Sequence, residues 1–123
     1  MILVVDDDSQ VRASIRRALE ELGYPVREAE DGASALALVK AERPSLAILD
    51  YVMSGMDGAE VARAIAAVDP NIPILFSTGH VALRTLRNAA GEDVPVLEKP
   101  FTLDELDELV RERLAEARRL RTA

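Results

Sequence analysis

Residues 46–50 read Leu46-Ala47-Ile48-Leu49-Asp50, an unbroken apolar run closed by one carboxylate. A strand with one wet face alternates apolar with polar side chains, so a continuous apolar run of this length belongs to a strand covered on both faces. Working outward, the N-terminus repeats the pattern in Ile2-Leu3-Val4-Val5 followed by Asp6-Asp7-Asp8, and Ile74-Leu75-Phe76 and Val94-Pro95-Val96-Leu97 repeat it downstream. Val26-Arg27-Glu28-Ala29 is more polar and suits an edge strand.

Segments of helical period lie between these runs. Val11, Ile15, Leu19 and Leu22 fall three or four apart, which puts one face on a sheet and leaves Arg12, Arg16 and Glu20 wet, with Gly23 closing the helix. Asp31-Gly32 opens a second helix carrying Ala35, Leu36 and Val39, and Pro44 ends the connection after it. Asp57-Gly58 opens a third, with Asp57 as its N-cap, Val61, Ile65 and Val68 inward and Asp69-Pro70-Asn71 as the stop. A fourth, about Val81 to Ala90, has only Leu83 and Leu86 as large anchors and is expected to be the loosest. Thr102 and Glu105 form a T-x-x-E capping box for a last helix of about 19 residues, about 28 Å at 1.5 Å per residue, with Leu103, Leu106, Val110, Leu114 and Ala117 at helical spacing.

Five strands and five helices in strict alternation, joined by right-handed crossovers, predict an α/β fold with one parallel sheet in the order 2-1-3-4-5 and helices on both faces. With 123 residues, 49% hydrophobic, and no repeat or linker, a single domain spanning 1–123 is expected. The absence of cysteine excludes disulfides, thiolate zinc sites and cysteine nucleophiles. A net charge of −7 with 3% aromatic residues argues against nucleic acid, which needs basic patches and stacking rings. No apolar run approaches the roughly 18 residues of a membrane span, and the start lacks the basic-then-apolar order of a secretory leader, so a cytoplasmic protein is expected. Met1 directly precedes the first apolar run, and no N-terminal arm is expected.

In an open α/β sheet, ligands gather at the carboxyl ends of the strands, near the point where strand order reverses. The residues at those ends are Asp6-Asp7-Asp8, Asp50, Ser77-Thr78-Gly79 and Glu98-Lys99-Pro100. With strands one and three adjacent, Asp6 and Asp7 meet Asp50, while Thr78 and Lys99 complete the ring from the other side. Crowded carboxylates repel unless a cation joins them. Oxygen ligands without histidine or thiol suit a hard ion, and a sparse site leaves room for water and phosphoryl oxygen, so Mg²⁺ is expected. A carboxylate on such a metal, flanked by a lysine and a hydroxyl, can attack phosphorus and become an aspartyl phosphate.

Together, Ile2-Leu3-Val4-Val5-Asp6-Asp7-Asp8, the stretch Asp50-Tyr51-Val52-Met53-Ser54-Gly55-Met56-Asp57-Gly58, Thr78-Gly79 and Lys99-Pro100-Phe101 resemble the receiver domain of bacterial two-component response regulators, the CheY-like receivers, over essentially the whole chain. That resemblance implies Asp50 as phosphoacceptor, Asp7 as a direct Mg²⁺ ligand, Asp6 as an acidic partner acting mainly through metal-bound water, and the Val52 carbonyl as a further ligand. It implies Thr78 as the switch hydroxyl, Lys99 as the cation pairing with Asp50 and then with its phosphoryl group, and a cis Lys99–Pro100 bond. The implied partners are a histidine kinase or histidine phosphotransfer protein and a downstream protein target. The chain then catalyses only its own phosphorylation and slow dephosphorylation, as a stand-alone regulator or as a receiver from a larger protein such as a hybrid kinase.

Three positions depart from the family pattern. Val96 stands where many receivers carry an aromatic ring that swings inward, so coupling is expected to be weak or to run through Gly79 and His80. Ser54 replaces the usual proline, which predicts a more mobile loop and modestly weaker Mg²⁺ binding. Val52 and His80 occupy positions that tune hydrolysis, and an apolar Val52 cannot position an attacking water, which predicts a phosphorylated form lasting on the order of minutes or more.

Blander roles stand beside these. Asp8 reads as a helix cap, and Asp6-Asp7-Asp8 as a whole can be a solvated acidic turn. Lys99 can be a surface lysine, although Lys40 is the only other lysine in a chain that otherwise uses arginine. Thr78 can simply end a strand, His80 can be an exposed loop residue, and Phe101 can pack beside the proline. The run Arg118-Arg119-Leu120-Arg121 reads as cations complementing a helix C-terminus. Among other functions, an aspartate-nucleophile phosphatase needs a second carboxylate two residues after its nucleophile, where this chain has Val52. An interaction module that is never phosphorylated is expected to lack one of Asp7, Asp50 or Lys99, and all are present. A flavodoxin-like FMN carrier needs a phosphate loop where Asp6-Asp7-Asp8 would repel phosphate.

Overall fold

The computed structural model describes residues 1–122, with side chains described through Leu120. The elements are β1 (Ile2–Val5), α1 (Ser9–Glu21), β2 (Val26–Ala29), α2 (Gly32–Ala41), β3 (Leu46–Asp50), α3 (Gly58–Val68), β4 (Ile74–Gly79), α4 (His80–Ala90), β5 (Val96–Lys99) and α5 (Leu103–Thr122). The strands form one sheet in the order β2-β1-β3-β4-β5, and all pairings are parallel. This is the architecture expected from the alternation of apolar runs and helical segments.

Every residue of β1 and β3 is buried, which is why their sequences are continuous apolar runs. The pleat sorts them into two cores. Leu3, Val5, Ala47 and Leu49 pack with residues of α2, α3 and α4, while Ile2, Val4, Leu46 and Ile48 pack with Ile15 and Leu19 of α1 and Leu106 and Val110 of α5. β2 is the polar edge strand, but its Glu28 is not simply a wet edge residue. It pairs with Arg12 (3.1 Å) and Arg16 (2.7 Å) of α1, so Arg12, expected on the wet face, is largely covered instead.

The helix starts follow the capping chemistry of the sequence. Asp8 accepts from the N–H groups of Gln10 and Val11, Asp31 from that of Ser34, and Asp57 and Glu60 form a reciprocal capping box. The Thr102–Glu105 box opens α5. Gly23, at φ +95°, takes the left-handed conformation after α1 that a β-carbon disfavours.

Two boundaries and one face differ from expectation. β5 runs Val96–Lys99 rather than beginning at Val94, because Pro95 has no N–H and contributes only its carbonyl, which accepts from Phe76 at 3.2 Å. β4 ends at Gly79, as expected from Ser77-Thr78-Gly79 at its carboxyl end, and α4 starts at His80, one residue before the expected Val81. In α5, Leu106 and Val110 are buried, but Leu103 lies exposed at the first turn. In α4 the only fully buried residue is Leu86, and Gly79 supplies no side-chain cap. Arg119 pairs with Glu116, while the side chain of Arg121, the last member of the basic run, lies outside the described residues.

Candidate functional site

The pleat that sends Ile2, Val4, Leu46 and Ile48 toward α1 and α5 carries Asp6 and Asp50 to the same side of the sheet, and Leu97 of β5 likewise leads to Lys99. There the three side chains meet. Lys99 Nζ donates to Asp6 Oδ2 at 3.3 Å and to Asp50 Oδ1 at 3.2 Å, although the residues are 93 and 49 positions apart. Asp6 and Asp50 are buried, Asp7 is exposed, and one carboxylate oxygen from each of the three lies within 4.8 Å of the others. The peptide bond from Lys99 to Pro100 is cis.

Several local contacts hold this cluster. The N–H of Asp8 donates to Asp6 Oδ1 at 2.9 Å, and Arg12 Nη1 donates to the Asp6 carbonyl at 2.7 Å. Both Asp6 carboxylate oxygens therefore already accept from the protein. Asp7 Oδ2 accepts from the backbone N–H of Ser54 at 3.0 Å. The loop after β3 is also clamped near Asp50. A β-carbon on Gly58 would fall 2.6 Å from the Asp50 carbonyl oxygen and 2.8 Å from Tyr51 Cα, so only glycine lets α3 begin this close. The Gly58 N–H donates to the Tyr51 carbonyl at 2.9 Å.

The electrostatics follow from that geometry. Burial pushes the Asp50 carboxyl up to about 6, the neighbouring Asp6 charge adds to the rise, and Lys99 opposes it. Burial alone would lower the Lys99 ammonium, but Asp50 and Asp6 together outweigh it and raise its pKa. Lys99 thus pairs with two of the three clustered carboxylates, and the donor set is hard oxygen without nitrogen or sulfur. Charge crowding and ligand chemistry both fit a divalent ion such as Mg²⁺.

Beside the acids, β4 brings Ser77 opposite Asp50 in the parallel register and Thr78 opposite Glu98 of β5. Both hydroxyl oxygens, Ser77 Oγ and Thr78 Oγ1, are buried without a hydrogen-bond partner among the described residues. The Val52 side chain points outward at 59% exposure. His80 is exposed as expected, yet its Nδ1 lies 3.1 Å from Glu98 Oε1, linking the start of α4 to β5. Val96 is half-buried opposite Phe76 and brings no ring to that face.

Asp6, Asp7, Asp50 and Lys99 are therefore brought together, and Thr78 lies at the adjoining strand end. Arg12 and Gly58 were not singled out for the site, and Ser54 was singled out only as a missing proline, not as a donor to Asp7. Gly58 left a signal, a glycine directly after a capping aspartate. Arg12 left a weaker one, a basic residue one turn into the helix that follows the acids. The Ser54 contact is made by its backbone, so the side chain at that position gave no sign of the bond to Asp7.

This constellation on a 2-1-3-4-5 sheet defines a class, and a family model described as response regulator receiver domain matches residues 2–111. The chain belongs to that family and is a receiver domain of two-component signalling. Among individual proteins, it is 45% identical to "Response regulator MprA" of Mycolicibacterium vanbaalenii over 107 residues, 85% of this chain and 46% of that protein. The chain thus spans about half the length of the curated relatives it matches. The receiver domain of NtrX from Brucella abortus superposes with a TM-score of 0.87 at 31% identity, covering 94% of this chain and 98% of that one. A CheY-like receiver domain protein from Methanospirillum hungatei JF-1 gives 0.84 at 29% identity, covering 96% and 95%. Among the described residues no helix is long and apolar enough to cross a membrane.

Proposed function

We propose that residues 1–123 act as one receiver domain that accepts a phosphoryl group on Asp50. The observation that carries this is Lys99 bridging Asp6 and Asp50 within a three-carboxylate pocket. An Asp50 carboxylate oxygen attacks the phosphorus of a phosphohistidine. The O–P bond forms as the P–N bond breaks, and the departing imidazole nitrogen takes a proton.

Lys99 stabilises the charge that grows on the phosphoryl oxygens and then pairs with the modified side chain. Asp7, Asp50 and the Val52 carbonyl would hold Mg²⁺, with Asp6, already engaged through both oxygens, acting through metal-bound water. When bound, the ion supplies positive charge to the transferring group. Thr78, whose hydroxyl has no partner in the protein, would donate to the new phosphoryl group and draw the end of β4 inward.

The donor would be a histidine kinase or histidine phosphotransfer protein, and the altered surface would bind a downstream protein target in the cytoplasm. The modification is stoichiometric, a self-phosphorylation with slow hydrolysis and no turnover of a separate substrate. Intact mass spectrometry after incubation with acetyl phosphate and Mg²⁺ tests this. Wild type should gain one phosphoryl mass and Asp50→Asn none, whereas equal gain in both would overturn the assignment.

A further inference from the structure

Ser54 stands where the family pattern has a proline, and the difference matters at the backbone. Its N–H donates to Asp7 Oδ2 at 3.0 Å, joining two exposed residues 47 positions apart. Proline has no N–H to offer. The other Asp7 oxygen, Oδ1, accepts no hydrogen bond from the described residues. The loop that carries Ser54 is the one that follows Asp50, and its far end is pinned where Gly58 presses onto the Asp50 backbone.

We propose that the Ser54 amide is a positioning group for Asp7. It fixes the carboxylate with Oδ2 toward the loop and Oδ1 free for a divalent cation, and it ties the loop bearing Val52 to the acidic pocket. This rests on the assignment of Asp7 as a Mg²⁺ ligand given above. Outer partners of metal ligands act in this way, by restricting ligand orientation before the ion arrives. The serine then does not weaken cation binding, as replacement of a rigid proline alone suggests. It supplies order through a hydrogen bond in place of order through a fixed φ.

Two measurements on the full chain test the proposal. In metal-free protein, hydrogen exchange at the Ser54 amide should quicken several-fold in Asp7→Ala, while the Met53 amide changes less than about two-fold. Equal change at both amides would mean no specific bond and would overturn it. In a Mg²⁺ titration followed by thermal shift, Ser54→Pro should raise the dissociation constant by about three- to ten-fold. Ser54→Ala, which keeps the N–H, should match wild type. Unaltered affinity in Ser54→Pro, or equal loss in Ser54→Ala, would overturn the proposal, and if Ser54→Pro does not fold, the exchange measurement decides. Asp7→Asn separates the two levels. Wild-type Mg²⁺ affinity in that variant removes Asp7 as a ligand, and with it the positioning role, whereas a failure confined to Ser54 leaves Asp7's role intact.

Discussion

Two neighbouring ends of the same sheet are built to different standards. At the ends of β1 and β3 the acids are braced. Asp6 accepts from Asp8 and Lys99, Asp50 from Lys99, and Asp7 from Ser54, while Gly58 locks the backbone beneath. At the end of β4, Ser77 and Thr78 bury hydroxyls without partners, and the adjoining α4 is held by one fully buried residue and no side-chain cap. A hydroxyl without a protein partner is open to a new acceptor, and a buried one that loses all partners costs about 1–3 kcal/mol. Under the proposed function, the braced end is where phosphoryl transfer would occur and the end of β4 is where the response to it would follow.

The sharpest way to break this comparison is to remove the brace. Lys99→Ala leaves Asp6 and Asp50 facing each other without their cation, and the rate of phosphorylation by acetyl phosphate should fall about 100-fold, the scale of deleting one preorganised donor. A fall of less than about three-fold, measured by the rate of mass gain, would mean that Lys99 pairs with the acids without assisting the transfer.

Next in size is the strain between the acids. The folded-state pKa of Asp50, about 6, lies above its ordinary value of 3.8. Its protonation therefore favours the fold, with a contribution fully present below pH 3.8 and lost as pH rises through about 6. In metal-free protein, Asp50→Asn should consequently melt higher than wild type at pH 7.5, by about 1–2 kcal/mol, and the gap should shrink toward pH 4.5. A gap independent of pH, read by thermal melts, would contradict the crowding.

The smallest effect concerns the responsive end. The His80–Glu98 pair is solvent-exposed, and exposed pairs contribute little. His80→Ala should leave the phosphorylation rate within about two-fold of wild type. With an apolar, outward-pointing Val52, the phosphoprotein should persist on the order of minutes at neutral pH. Decay within a few seconds, followed by mass spectrometry, would show that water is positioned by some other group.

The buried strands and the meeting of Asp6, Asp7, Asp50 and Lys99 were legible because they are written in side-chain type, while the strand order followed from the handedness of the crossovers. Apolar runs mark buried strands, and Asp6, Asp7, Asp50 and Lys99 end them. Other features were illegible for physical reasons. The start of β5 shifts because Pro95 removes a donor from an apolar run that otherwise looks continuous. Arg12 looked wet because helical period alone does not show that Glu28 on β2 faces it. Leu103 fits the apolar spacing of α5 yet is exposed at the helix's first residue, which periodicity alone does not reveal. The Ser54 tether is a backbone donor, which every residue but proline carries, so composition holds no trace of it.

The most direct measurement is chemical location of the modified residue. Borohydride reduces an aspartyl phosphate to homoserine, and peptide sequencing of phosphorylated, reduced protein should find homoserine at position 50 alone. Homoserine at position 6 or 7, or none in protein that has gained phosphoryl mass, would contradict the account.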